Sequence, residues 1–151
     1  MKQACLTVLT VLCASCATVP KGDVEALKPA VETIHQRFRW KDFRGAADLL
    51  VEEKVEAFLK ARTKLDDDRD LFITNFELED AKISPDTLSA KAFTKISWYR
   101  LPSTSEKTVL VKSIFVWRNG AWLLESQDDG PFEELKPAKA DEPEKKTATT
   151  P

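Results

Sequence analysis

Asn119-Gly120, set in Trp117-Arg118-Asn119-Gly120-Ala121-Trp122, restricts the fold of this chain more than any other stretch. Both central residues of a two-residue type I′ turn need positive φ, and asparagine followed by glycine reaches that conformation at least cost. A loop of those two residues fixes the register on either side. Arg118 then lies opposite Ala121. Trp117 faces Trp122 and Phe115 faces Leu124 on one side of the hairpin, while Val116 faces Leu123 and Ile114 faces Glu125 on the other. The aromatic side is the expected core face, because cross-strand aromatic pairs bring packing as well as buried area.

Working back from the hairpin, residues 108–117 are largely apolar on both faces, as in an interior strand. Over residues 88–101, Leu88, Ala90, Ala92, Ile96 and Trp98 share one face, and Ser89, Lys91, Lys95 and Ser97 share the other with Phe93 and Tyr99. Phe76 and Leu78 alternate with Glu77 and Glu79 in a half-buried strand that Ser84-Pro85-Asp86 closes. Strands well above the usual length of about five or six residues must twist and coil.

Before Asp70 the period is helical. A first helix is expected from near Pro29, where a proline in the first turn is tolerated, with Val31, Ile34, His35 and Phe38 on one side. Asp42 caps a second, with Phe43, Ala46, Ala47 and Leu50 inward. A third carries Val55, Phe58 and Leu59 inward and ends in a charged loop over residues 66–70. The fold class that follows is α+β, three N-terminal helices packed on a strongly curved, cone-like antiparallel sheet. This element order, with the Trp-x-x-Gly-x-Trp spacing of Trp117, Gly120 and Trp122, resembles the nuclear transport factor 2-like, or cystatin-like cone, superfamily over residues 29–125.

The N-terminus sets a location. Lys2 is followed by a short uncharged run and then Leu12-Cys13-Ala14-Ser15-Cys16, the layout of a secretory signal and too short for a membrane span. The ending resembles the lipobox of bacterial lipoproteins, although Cys13 stands where the family usually has leucine. The resemblance implies cleavage before Cys16, a diacylglycerol thioether on its sulfur and acylation of the new N-terminus. Because Ala17 is not the aspartate used for inner-membrane retention, it further implies the periplasmic face of the outer membrane. The competing reading is an ordinary cut near Ala17. The expected organisation is a signal peptide at 1–15, a tether at 16–28, the domain at 29–126 and a disordered tail at 127–151, where apolar residues become sparse and then cease.

Composition excludes several classes. Without Lys2 the mature chain has 22 basic and 25 acidic residues, a balance of −3 that gives no nucleic-acid surface. Cys5, Cys13 and Cys16 all lie in the signal or at its end, so the domain carries neither a disulfide framework nor a cysteine metal site. No cofactor motif is present. Asp66-x-Asp68-x-Asp70, with Glu77 at the twelfth position, counts like a calcium loop, but Leu71 occupies the place of the required glycine.

Two sites remain. In ketosteroid-isomerase-like members of the superfamily a pocket Asp or His acts as base. The resemblance therefore makes His35 a candidate general base, with the Tyr99 hydroxyl as its partner, against the blander reading of a packed histidine. Trp40, Trp98, Phe115, Trp117 and Trp122 could line a pocket for a small apolar ligand, or simply form core. The function expected is a lipid-anchored, non-catalytic envelope protein whose cone domain binds a partner protein or a small apolar ligand. A small isomerase- or cyclase-like enzyme using His35 is the alternative. Related domains often pair through their sheets, which implies a homodimer as one arrangement.

Overall fold

The computed structural model describes residues 21–137; the signal, Cys16 and residues 138–151 lie outside the described residues. Helix α1, Val24–Arg39, starts where the Asp23 carboxylate accepts hydrogen bonds from the backbone N–H groups of Glu25 and Ala26. This corrects the expected start near Pro29 and shortens the tether. Pro29 sits inside the helix at the cost of one backbone hydrogen bond. The earlier start lets Leu27 join Val31, Ile34, His35 and Phe38 on one buried stripe, and the indole N–H of Trp122 donates to the Asp23 carbonyl at 2.6 Å. Burial of a leucine contributes roughly 1.5–3 kcal/mol, so with the cap it offsets the proline.

Helix α2, Phe43–Ala47, is capped by Asp42, which accepts from the Gly45 N–H at 3.0 Å. Helix α3, Glu52–Lys64, ends in a reversal at Asp66 (φ 51°) and a short helix α4, Asp67–Asp70, where the sequence suggested only a charged loop. Strands β1 (Leu71–Ile83), β2 (Ser89–Arg100), β3 (Lys107–Arg118) and β4 (Ala121–Gln127) then form an open antiparallel meander in chain order. The structure is thus α+β, with the helices preceding the sheet and packed on one of its faces.

At the β3–β4 turn Asn119 and Gly120 both have positive φ, 53° and 80°, and the pairs Arg118 with Ala121, Trp117 with Trp122, Val116 with Leu123 and Phe115 with Leu124 follow. The register then departs from expectation, because Ile114 pairs with Ser126 and Glu125 is the extra residue of a bulge. A bulge returns later residues to the opposite face. Gln127 consequently lines up with Ser113 on the helix-covered face. Two further shifts interrupt β1, between Ile73 and Asn75 and between Leu78 and Asp80. The edge of β4 is covered where Leu124 exchanges backbone hydrogen bonds with Leu49 and Val51, at 2.8 and 3.0 Å.

The core lies between the helices and the sheet face bearing Ala90, Ala92, Ile96, Val111, Phe115, Trp122 and Leu124. At one end Phe38, Phe43, Phe58 and Phe132 pack together, the Phe38 and Phe132 rings 4.5 Å apart. Phe132 corrects the expected onset of the tail at residue 127. The chain stays on the core through a 3-10 turn, Glu133–Leu135, with Phe132 and Leu135 both buried. Lys54 Nζ donates to the Glu134 and Lys136 carbonyls at 3.2 Å each, fastening this segment to α3. Two apolar residues in a polar stretch suffice when a ready-made aromatic cluster receives them.

Candidate functional site

His35 projects from α1 into the core and is 2 % exposed. Its Nδ1 lies 2.7 Å from the Val31 carbonyl, which makes Nδ1–H the donor and leaves Nε2 as an acceptor. Gln127 Nε2 stands 3.4 Å from that Nε2 and also donates to Ser113 Oγ at 3.2 Å. Phe76 stacks on the imidazole at 5.7 Å and Phe38 meets it edge-on at 6.0 Å. Burial is the main influence on the ring and pushes its pKa from 6.5 down to about 4, against the opposing effect of the Val31 hydrogen bond. A general base needs a reachable proton and an unengaged lone pair. Here the lone pair points at a glutamine and the ring has almost no path to solvent.

The pH dependence has a definite sign. The unfolded chain binds a proton at His35 below about pH 6.5 and the folded chain only near 4, so stability is lost as pH falls through that interval. His35 should therefore cost roughly 3 kcal/mol of unfolding free energy between neutral pH and about pH 4. Urea denaturation at a series of pH values should show a shallower acid loss for His35→Gln than for the wild type.

Tyr99 does not join His35. It sits on the opposite face of β2 from Ile96, whose partner Phe76 is the residue stacked on the imidazole, and its own ring stacks on Phe72 at 5.0 Å. The five aromatic residues are likewise dispersed. Phe115 is core, Trp117 and Trp122 meet at 5.4 Å beside the hairpin turn, Trp98 packs on the core farther along β2, and Trp40 is 71 % exposed after the last turn of α1. They surround no common cavity among the described residues. Alternation along β2 correctly separated Tyr99 from Trp98, but which face His35 would meet was decided by helix docking.

A second charged centre was not legible beforehand. Arg62 on α3 is only 4 % exposed, with its Nη1 2.7 Å from Asp67 Oδ2 and its Nη2 2.5 Å from Glu134 Oε1. Arg100 Nη1 holds the other oxygen of Asp67. The guanidinium also lies over the rings of Phe58 and Phe132, 4.9 and 4.5 Å from their centroids. Desolvation lowers the pKa of Arg62 and raises that of Glu134, with the opposite charges working against both effects. One available sequence signal was the i, i+4 spacing of Arg62 from Phe58, which puts a cation on the apolar stripe of α3. Asp67 is the residue that the Asp66-x-Asp68-x-Asp70 count skips. Asp66 and Asp70 instead pair with Arg69 at 3.0 and 2.8 Å, and among the described residues no three His, Cys, Asp or Glu side chains converge as metal ligands.

The surface clefts lie outside the core. One of about 410 Å³ runs along α1 between Glu32, Thr33, Gln36, Arg37, Trp40 and Asp42. Another, of about 670 Å³, lies between α2, α3 and α4, with Lys41, Arg44, Asp48, Arg62 and Asp68 among its lining. Asp42 borders both, held by Arg37 at 2.5 Å. This band at the C-terminal end of α1 combines an exposed indole, two clefts and charges of both signs. No helix among the described residues is long and apolar enough to cross a membrane.

No protein-family model matches the chain, and no curated protein matches its sequence. Solved structures do. A SEC-C motif containing protein from Rhodopseudomonas palustris superposes with a TM-score of 0.55 at 10% identity, over 68% of this chain and 77% of that one. The intermembrane space region of the chloroplast protein ARC6 gives 0.53 at 10% identity, over 72% and 96%. The beta subunit of benzoate 1,2-dioxygenase from Burkholderia mallei gives 0.51 at 9% identity, over 72% and 90%. At such identities the likeness is one of fold.

Proposed function

We propose that this protein is a lipid-anchored, non-catalytic envelope protein with a nuclear transport factor 2-like domain that docks a partner protein through the band around Trp40. The superfamily reading is supported by the element order and by the likeness to the dioxygenase beta subunit, a domain of that architecture. The observation that carries the binding reading is the filled interior, where His35 is enclosed by Phe38, Phe76 and Gln127. With the inner face occupied, recognition falls to the outside. There Trp40 is, among the described residues, the most exposed of the large apolar side chains and borders a cleft. Exposed tryptophans beside clefts are typical anchors of protein interfaces.

Anchoring rests on the small-small-cysteine ending at Cys16. Acyl chains bury about 0.8 kcal/mol per methylene, and more than one chain gives stable attachment. Cys16→Ser should leave an uncleaved precursor, read by mass spectrometry of the N-terminus. An unmodified residue after Cys16 as the mature start would sink the anchoring reading.

Complementation of a deletion strain at matched protein levels separates docking from catalysis. Trp40→Ala should fold normally and fail to complement, while His35→Gln should complement. The reverse pattern would promote the isomerase-like alternative with His35 as base.

A further inference from the structure

We infer that the pole of the domain formed by the β1–β2 turn, the Asn119-Gly120 turn and the start of α1 lies against the lipid surface, so that the Trp40 band faces away from it. This inference rests on the anchoring of Cys16 proposed above and adds an orientation to it.

The first argument is covalent length. The chain is already fixed to the domain at Gly22, whose N–H donates to the Thr87 carbonyl at 3.0 Å, and at Asp23, whose carbonyl accepts from the Trp122 indole. The approach is so close that a Cβ on Gly22 would come within 2.1 Å of the Thr87 oxygen and 2.7 Å of the Trp122 ring. Only residues 17–21 separate Cys16 from this point. Six Cα steps reach at most about 20 Å. The anchor therefore cannot feed the domain from another side.

The second argument is the chemistry of this pole, which carries two of the exposed large apolar side chains; Trp40, Leu65, Leu101 and Leu110 are exposed elsewhere on the described residues. Val24 (59 % exposed) and Leu88 (36 %) flank the fixation point, with Lys21 beside them. The β3–β4 turn belongs to the same pole, since Trp117 N–H donates to the Leu88 carbonyl at 2.8 Å. Trp40 stands at the other end of α1, whose 16 residues span about 24 Å. The far pole thus stands beyond the reach of the tether. Val24 and Leu88 supply apolar contact to the interfacial region of the bilayer and Lys21 a cation for anionic headgroups.

The test uses the full lipidated chain in phosphatidylethanolamine–phosphatidylglycerol vesicles carrying a fluorescent acceptor lipid. Cys16 is blocked by its thioether and no other cysteine follows it, so Ala121→Cys and Lys64→Cys give single donor labels at the near and far poles. Energy transfer to the lipid should be several-fold higher from position 121. Insertion of a long Gly/Ser linker after Ala17, combined with Val24→Asp and Leu88→Asp, should abolish that difference while the protein still floats with the vesicles. Equal transfer from both positions in protein shown by mass spectrometry to be acylated would overturn the orientation alone. Protein that lacks acyl chains and does not float would overturn the anchoring on which it stands.

Discussion

Asp67→Ala is expected to destabilise the domain by about 3–5 kcal/mol, because it leaves the enclosed Arg62 guanidinium without its fully buried counter-charge and takes from Arg100 the carboxylate it holds. Asp67 is fully buried, so little solvent can relax into the gap. Glu134, beside Arg62 but partly exposed, compensates only in part. The energetics of a buried pair also predict an asymmetry. Replacing both members with apolar residues, as in Arg62→Met with Asp67→Leu, should recover most of the loss, since the desolvation cost of the two charges disappears with their attraction. Urea denaturation of the purified chain measures both variants. A loss below about 1 kcal/mol for Asp67→Ala would show that the pair behaves like a surface salt bridge.

Phe132→Ala should cost about 3–5 kcal/mol, the range for removing an aromatic ring from a packed core. The ring fills the space between Phe38, Phe43, Phe58 and the face of Arg62, so its loss removes dispersion contacts and opens a route for water to a buried charge. A matched pair of truncations places the boundary of the folded unit. A chain ending at Pro137 should melt like the full chain, whereas one ending at Gln127 should lose cooperative unfolding, since it gives up Phe132, Leu135 and the Glu134 contact together. Equal melting temperatures for the two truncations would return the whole segment after Gln127 to the tail.

The sequence by itself determined the order of the three longer helical segments and the four strands, and the pairing of the last hairpin from its turn as far as Phe115 and Leu124. Asn119-Gly120 fixed the turn because φ preference is a property of two residues, and strict alternation placed Ala90, Ala92, Ile96 and Trp98 on one face of β2. The helical stripe of α1 was legible for the same reason, a short-range period that any neighbour would respect. What only the tertiary structure decided depends on partners distant in the chain. Leu27 became helical and Phe132 became core because elements roughly 100 residues away supply the Trp122 hydrogen bond and the phenylalanine cluster. Glu125 became a bulge because Gln127 is drawn to Ser113 and His35. Asp67, read only as part of a charged loop, became a buried partner of Arg62 because α3, α4, β2 and the 3-10 turn meet around the pair. Charge burial is set by the geometry of several segments at once, and the i, i+4 spacing of Arg62 from Phe58 names neither Asp67 nor Glu134 as its partner.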